Sequence, residues 1–574
     1  MSVTTPLGPH SLGTLPEPLG RTSRFTLERA VPWLACVWLG LVLALRWPAL
    51  WEPSLVSDSP LDAAFFGYAG QLVRQGGVPY LTFWDHKAPL IFFLDAAGLA
   101  ISGGRVWGLW LLNLGILVAA TLLGHWSMRR SFGALAALLG TICFACSVAT
   151  TLAVNMTEGY VLPLQWAVVA LLVRWQDAPR GTLRFGVGVG LLGALAFYLR
   201  ANLIGAAFSV GLVALLVLGA QRRWREAGAF VAGGLLGAAV VTLAVVAYMV
   251  HAGALAAFWD QAFHYNFVYA ASGLRSKLGA LYFGTGLATR FASAAIPLAG
   301  WVLCARRAWA GRRGPGVRPV VVLALVWLPV ELLLDATSGR QYAHYFAPGF
   351  APVALLAAAF VAEVGEAAPA LFSGSSGVFV VRLLALCTAG WAMASAGMNI
   401  AKDKDGHERR AQVAQTAAYV RATTPPDAKL LVWGHAAEVH FFSGRAPASR
   451  FIYPLALLTP RYADAALVRG FLDEVKASDP PLIIDATPKS IEGEDLVPPL
   501  ATWKADWTYP KDARPGQVWW SMTPALRSFY DYVHANYTPV DTVGPRHWVV
   551  YRRNGTTATT AAAAPSAVAG TVAR

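Results

Sequence analysis

Charged residues are scarce in this 574-residue chain: Asp, Glu, Lys and Arg make up 14% of it, while 56% is hydrophobic. Soluble domains carry about 25% charge. The shortage therefore excludes an ordinary soluble protein and places the chain among polytopic membrane proteins. Cysteine is sparse too. The five cysteines (Cys36, Cys143, Cys146, Cys304, Cys387) all fall inside or beside apolar segments, which argues against a disulfide framework. Cys143 and Cys146 form a CxxC that reads as small-residue packing rather than redox or metal chemistry. The sequence also lacks HExxH and any carboxylate-flanked histidine pair, so no ligand motif supports a divalent metal and no cofactor is assigned. No small-residue cleavage site follows the first apolar segment, which reads as a retained signal anchor behind Arg21, Arg24 and Arg29. The net charge of +14 resides mostly in short arginine clusters between apolar runs. That placement is explained by topology, so nucleic acid is not expected as a partner.

A helix needs about 20 apolar residues to cross a bilayer. Eleven candidate spans follow: 30–50, 106–127, 133–152, 158–174, 184–199, 201–219, 227–250, 281–304, 319–336, 345–363 and 377–399. With the N-terminus inside, sixteen arginines collect on the inner face, from Arg21 through Arg129, Arg174 and Arg222 to Arg318, as the positive-inside rule requires. An odd number of spans then leaves the C-terminus outside. The expected organisation is a disordered segment 1–28, a transmembrane domain 29–400 whose first outer loop covers 51–105, a soluble domain 401–553, and a disordered tail 554–574. In the soluble part, Lys429–Trp433, Leu482–Asp485 and His547–Arg552 read as strands and 407–423 as a helix, an α/β layer.

The first outer loop is long enough to hold structure. Ser59, Pro60 and Asp62 open a predicted helix running to Arg74, in which Phe65, Phe66, Ala69, Leu72 and Val73 recur at helical spacing, so the helix is expected in the interface plane. Residues 88–102 are too interrupted for a span and read as a second surface or partly inserted helix.

Polar residues converge on the same outer side. They are Asp58, Asp62, Tyr68, Asp85 and Lys87 from the loop, Glu158 and Arg200 at span ends, His264 and Tyr265, Glu331 and Asp335, then Arg340, His344 and Tyr345. Carboxylates serve as general bases, and Arg, Lys and His hold phosphate, so the set suits transfer from a lipid phosphate to a hydroxyl. Each also has a plain structural reading: Asp62 as a helix cap, Asp85-His86-Lys87 as a solvated turn, Glu158 and Arg200 as snorkelling interface residues, Glu331 and Asp335 as partners of Arg340.

Three segments carry a resemblance: Asp62-Ala63-Ala64-Phe65-Phe66-Gly67-Tyr68-Ala69, Gly76-Gly77-Val78-Pro79-Tyr80, and Trp84-Asp85-His86-Lys87-Ala88-Pro89-Leu90. Together they resemble the first outer loop of GT-C fold glycosyltransferases, with aminoarabinose transferases and protein O-mannosyltransferases nearest in appearance. Phe263-His264-Tyr265-Asn266 and Arg340 to Phe346 look like later outer-loop motifs. Gly434, Ser443-Gly444-Arg445 and Ser449-Arg450-Phe451 resemble the segment that follows the spans. The resemblance implies a multi-pass enzyme of the bacterial cytoplasmic membrane that takes sugar from a polyprenyl phosphate to a glycan, lipid or protein acceptor. Asp62 matches the family's catalytic acid. Where a second acid often follows, this chain has Ala63, leaving Asp58 or Asp85 to supply another carboxylate. Lys87, Arg200, Arg340 and His344 are the phosphate-binding candidates. The alternative from another class is a transporter or flippase of lipid-linked sugars; it should show related halves or interrupted midplane spans, whereas these polar residues gather on one face.

Overall fold

The computed structural model describes residues 27–47, 62–151, 155–271, 273–290, 295–311, 318–371, 405–487, 497–509, 511 and 518–555. The expected span 377–399, Asp58, Cys387, and nearly all of the two segments expected to be disordered lie outside them.

The helices of the apolar half are α1 Leu27–Arg46, α2 Asp62–Arg74, α3 Leu90–Ile101, α4 Trp107–Phe132, α5 Ala134–Thr151, α6 Leu162–Asp177, α7 Thr182–Leu199, α8 Gly205–Ala220, α9 Trp224–His251, α10 Leu274–Arg290, α11 Ala295–Gly311, α12 Pro319–Asp335 and α13 Phe350–Leu371. Among the described residues six helices are long and apolar enough to cross a membrane, and α1, α3 and α5 contain shorter apolar stretches. The protein is a polytopic helical membrane protein. The split at Arg200 is present: the backbone there is extended (φ −167°, ψ 131°), ending α7 before a 3₁₀ turn and α8. The expected span 158–174 begins instead with a separate turn, Thr157–Tyr160, before α6, and the expected span 281–304 is divided between α10 and α11.

Small residues let two of the long helices touch. A Cβ added to Gly186 or Gly190 of α7 would run into the α9 backbone at Phe230 or Gly234, and one on Gly233 or Gly237 would meet the α7 backbone. Such close approach is how helices associate in lipid, where apolar burial between helices contributes little. Much of the remaining apolar surface of α9 faces outward, with Leu235 and Leu243 among its exposed side chains.

The C-terminal part is an α/β layer: α14 Asp405–Thr423, β1 Lys429–Trp433, α15 Glu438–Ser443, β2 Ala446–Pro447, α16 Ala465–Ser478, β3 Leu482–Asp485, β4 Thr508–Tyr509, β5 Trp520–Ser521, α17 Arg527–Asn536, β6 Tyr537–Val543 and β7 Trp548–Arg553. The main sheet has the order β2-β1-β3-β7-β6; β2, β1 and β3 run parallel, and β7 pairs antiparallel with both β3 and β6. Strands β1 and β3 are almost wholly buried, as strands covered on both faces must be. Helix α16 shows why its sequence folds locally: Asp464 accepts a hydrogen bond from the Leu467 amide at 2.7 Å, and Val468, Phe471, Leu472 and Val475 form one buried stripe.

One expectation is corrected here. Helix α2 does not lie on a surface with one wet face: residues Ala63 to Gly70 are all buried. Its apolar face packs on α3, and its other side is covered by the C-terminal domain, where Tyr68 stacks on His440 of α15 with ring centroids 5.5 Å apart. The α/β domain supplies the second lid that periodicity alone assigned to solvent.

Candidate active site

The loop joining α2 to α3 is held from three directions. Buried Asp95 on α3 accepts hydrogen bonds from Asn155 Nδ2 and the Tyr160 hydroxyl, both at 2.9 Å. Asn155 also donates its side-chain amide to the Ala63 carbonyl on α2 (2.9 Å) and its backbone N–H to Asn113 Oδ1 (2.7 Å). Gln261 donates to the Tyr80 carbonyl at 2.8 Å and accepts from the Asp85 amide at 3.2 Å, while Asn266 donates to the His86 carbonyl at 2.6 Å. Tyr80, fully buried at φ +70°, donates its hydroxyl to the Lys87 carbonyl (2.7 Å). The remaining support comes from the C-terminal domain: the Trp84 amide donates to the Arg450 carbonyl (2.9 Å), and its indole donates to the Tyr462 hydroxyl, which donates to Asp260.

This rigid loop delivers Lys87 to the start of α2. Lys87 Nζ, 4% exposed, lies 3.4 Å from Asp62 Oδ2 and 3.1 Å from His86 Nε2. Burial alone would lift the Asp62 carboxyl, but the Lys87 ammonium together with His435, His344 and His86 outweighs it, and the group is held well below the usual carboxylate range. Asp85, two residues before Lys87, accepts the Lys87 amide (2.6 Å) and the Tyr453 hydroxyl (2.5 Å). Burial pushes it up to about 6, against the lowering influence of Lys87 and Tyr453. Burial also drives His86 far below the ordinary histidine value.

A second line of cations runs beside this pair. Arg200, at the α7 break, forms an ion pair with buried Glu158, and its guanidinium lies 3.8 Å from the centre of the Tyr345 ring. The Tyr345 hydroxyl meets that of Tyr269 at 3.3 Å. Arg340 is 3% exposed and stacked between Tyr269 (4.4 Å) and Trp519 (4.1 Å). Aromatic faces attract its charge without using its N–H groups, and Nε and Nη1 have no hydrogen-bond partner. Nδ1 of His86, Nε2 of His344 and Nε2 of His435 are likewise buried and unpartnered. Buried polar groups are ordinarily satisfied, so this concentration of free donors and acceptors makes the cluster the candidate ligand site. Among the described residues, no group of three or more His, Cys, Asp or Glu side chains is arranged to hold a metal.

The structure is similar to that of ArnT from Cupriavidus metallidurans in the apo state, with a TM-score of 0.55 and 15% identity over 91% of this chain and 98% of that one. It is also similar to ArnT from the same organism bound to undecaprenyl phosphate (TM-score 0.52, 16% identity, 74% and 86% covered). The apo oligosaccharyltransferase of Archaeoglobus fulgidus is a third match (TM-score 0.51, 13% identity, 80% and 70% covered). The chain has the GT-C fold. No family model and no curated protein matches the sequence.

Within this GT-C fold, Asp62, Asp85, Lys87, Glu158, Arg200, Arg340, His344 and Tyr345 come together, whereas other expected residues do not. His264 is 56% exposed and paired with Asp260 at 2.9 Å within one π-helical turn, so it points away from the cluster. Tyr68 is absorbed by packing on His440; Tyr265 does border the cluster, its ring 5.1 Å from that of His86 and 4.8 Å from Trp84, with its hydroxyl bonded to Thr459 (2.9 Å). Glu331 and Asp335 do not pair with Arg340: Glu331 accepts from Gln165 (3.1 Å) and Trp327 (2.8 Å), and Asp335 is buried near Arg200 with neither carboxylate oxygen hydrogen-bonded. The sequence reading missed His435 and Tyr453, which approach from the C-terminal domain, as well as Trp519. A signal for the first was present, since Gly434-His435 directly follows a buried strand.

Proposed function

We propose that this protein is an inverting glycosyltransferase that moves a sugar from a polyprenyl phosphate to a hydroxyl acceptor on the outer side of a bacterial cytoplasmic membrane. The observation that carries the reading is the Asp62–Lys87 pair, a carboxylate and a buried ammonium 3.4 Å apart at the mouth of a cation-rich site. The likeness to a GT-C protein crystallised with undecaprenyl phosphate supports the choice of donor, and the one-sided arginine distribution supports the orientation.

Lys87, Arg340, His344 and Arg200 surround the donor phosphate and stabilise the charge that builds on it as the sugar departs. The aromatic sandwich keeps Arg340 buried and aimed without consuming its N–H groups. Arrival of a phosphate beside Lys87 weakens the hold of that ammonium on Asp62 and raises the basicity of the carboxylate where a proton must be taken. Asp62 then removes the acceptor proton as the oxygen attacks the anomeric carbon. A single displacement inverts the anomeric centre. Asp85, fixed by Tyr453 and the Lys87 amide, shapes the loop rather than serving as base.

The test supplies the purified full-length protein with a labelled polyprenyl-phosphate pentose or hexose and a panel of glycan, lipid and peptide acceptors. Transfer with release of the polyprenyl phosphate is the expected result. Movement of intact donor across a vesicle without cleavage of the sugar–phosphate bond would overturn the proposal and favour a flippase.

A further inference from the structure

The sheet of the C-terminal domain delivers one residue into the membrane site. β1 is a buried parallel strand, and the carboxyl ends of parallel strands are where α/β layers present groups to ligands. Directly after it comes Gly434 at φ +133°, where a Cβ would press on Ala486 at 3.1 Å. The glycine turn throws His435 off the sheet toward α2. There the residue is fixed twice. Its carbonyl accepts from Arg409 (3.0 Å), itself paired with Glu438, and its ring stacks on Tyr453 with centroids 4.9 Å apart. Nε2 is buried, has no hydrogen-bond partner, and lies 3.9 Å from Asp62 Oδ1, the oxygen opposite the one nearest Lys87.

We infer that His435 is a proton-relay and positioning residue acting through Asp62, so that the C-terminal domain completes the active site. The inference rests on the transferase reading above. In the step, the acceptor oxygen bonds to the anomeric carbon as the carbon–oxygen bond to phosphate breaks, its electron pair leaving with the phosphate. The hydroxyl proton passes to Asp62 and from there to Nε2 of His435, which starts with its proton on Nδ1 and ends as imidazolium. Solvent at the 8% of the side chain that remains exposed takes the proton away.

The charges around the ring suit this direction of flow. Burial lowers His435 to about 4; Asp62 opposes that effect, while Arg409 and Lys87 add to it. The imidazole is therefore neutral and ready to accept at working pH; in the ligand-free site it is more basic than Asp62, and a phosphate that screens Lys87 relieves both groups, since Lys87 lowers each. His86 and His344 act on Asp62 from its other sides, and the Tyr453 hydroxyl is turned to Asp85.

The experiment compares unaltered full-length protein with His435→Gln and His435→Ala in lipid nanodiscs, using labelled polyprenyl-phosphate sugar and measuring transfer across pH. Both variants are expected to lose kcat by about 10- to 100-fold, while the Kd for sugar-free polyprenyl phosphate stays within twofold. The acid limb of the kcat profile should change in His435→Gln, and added imidazole should restore His435→Ala but not His435→Gln. Thermal unfolding within a few degrees of the parent shows that the fold is kept. Unchanged kcat and pH profile in both variants overturn this inference alone, as does a loss confined to donor affinity. No transfer by the unaltered protein overturns the transferase reading and this inference with it.

Discussion

Replacing Lys87 by Met keeps the length of the buried stem and removes its charge, so the variant isolates what the ammonium does. In the ligand-free site that charge faces Asp62 at 3.4 Å, a separation at which two unit charges attract by ~5 kcal/mol at an effective dielectric of 20. Asp62 keeps 28% of its side-chain exposure, which reduces the effective figure to roughly half by solvent screening. A phosphate in the same place would lose one charge-assisted hydrogen bond, worth about 1.5–3 kcal/mol. Affinity for a short-chain polyprenyl phosphate is therefore expected to fall ~30-fold, within a range of about 10 to 150. Equilibrium binding in detergent, read by tryptophan fluorescence at fixed ionic strength, measures it. Lys87→Arg should recover part of the loss, and the salt dependence of binding should be shallower in the Met variant. Asp62, freed from the ammonium, should titrate higher, moving the acid limb of the transfer profile to higher pH. A Lys87→Met protein that binds within twofold of the parent would refute the placement of the phosphate at this loop.

The pH dependence of stability should expose Asp85. Its carboxyl is held at about 6 in the fold by burial, above the roughly 3.9 of an unfolded chain. A raised carboxyl contributes stability that is fully present below about pH 4 and lost as pH rises through 6, an effect of ~3 kcal/mol. Asp85→Asn should flatten that segment of the curve of melting temperature against pH; an unchanged slope would contradict the burial argument. Asp95→Ala should cost about 2 kcal/mol or more by leaving the Asn155 amide and Tyr160 hydroxyl without their shared acceptor. Because Asn155 also holds Ala63 at the start of α2, the same variant should weaken donor binding, and a melting temperature equal to the parent's would show that the network is not what pins the loop.

The parts legible in the sequence were those written in local patterns. The break at Arg200 could be read because an arginine interrupts an apolar run, and β1 and β3 because short apolar segments stand alone in a charged region. The Asp62 to Lys87 stretch was legible through its motifs, and the structure brings its two ends together. What periodicity could not report is contact between distant parts of the chain. It gives α2 one wet face because nothing local reveals that His440 and its helix cover that side. It set Glu331 and Asp335 against Arg340, whereas the aromatic sandwich of Tyr269 and Trp519 receives the guanidinium, and Trp519 lies about 180 residues away in the chain. His264 stands beside Tyr265 and Asn266 in the sequence, but the π-helical turn pairs it with Asp260 and leaves it 56% exposed. His435 escapes local patterns for the same reason that the burial of α2 does: the C-terminal domain folds back over the loop.

The central claim is that Asp62 takes the acceptor proton while the cations around it hold the departing phosphate. Steady-state transfer and donor binding measured side by side on the parent and Asp62→Asn test it most directly. The account expects kcat to drop by about 100- to 10,000-fold, with the Kd for polyprenyl phosphate unchanged or tighter, since Lys87 is then released from its carboxylate. Transfer by Asp62→Asn at the parental rate would contradict it.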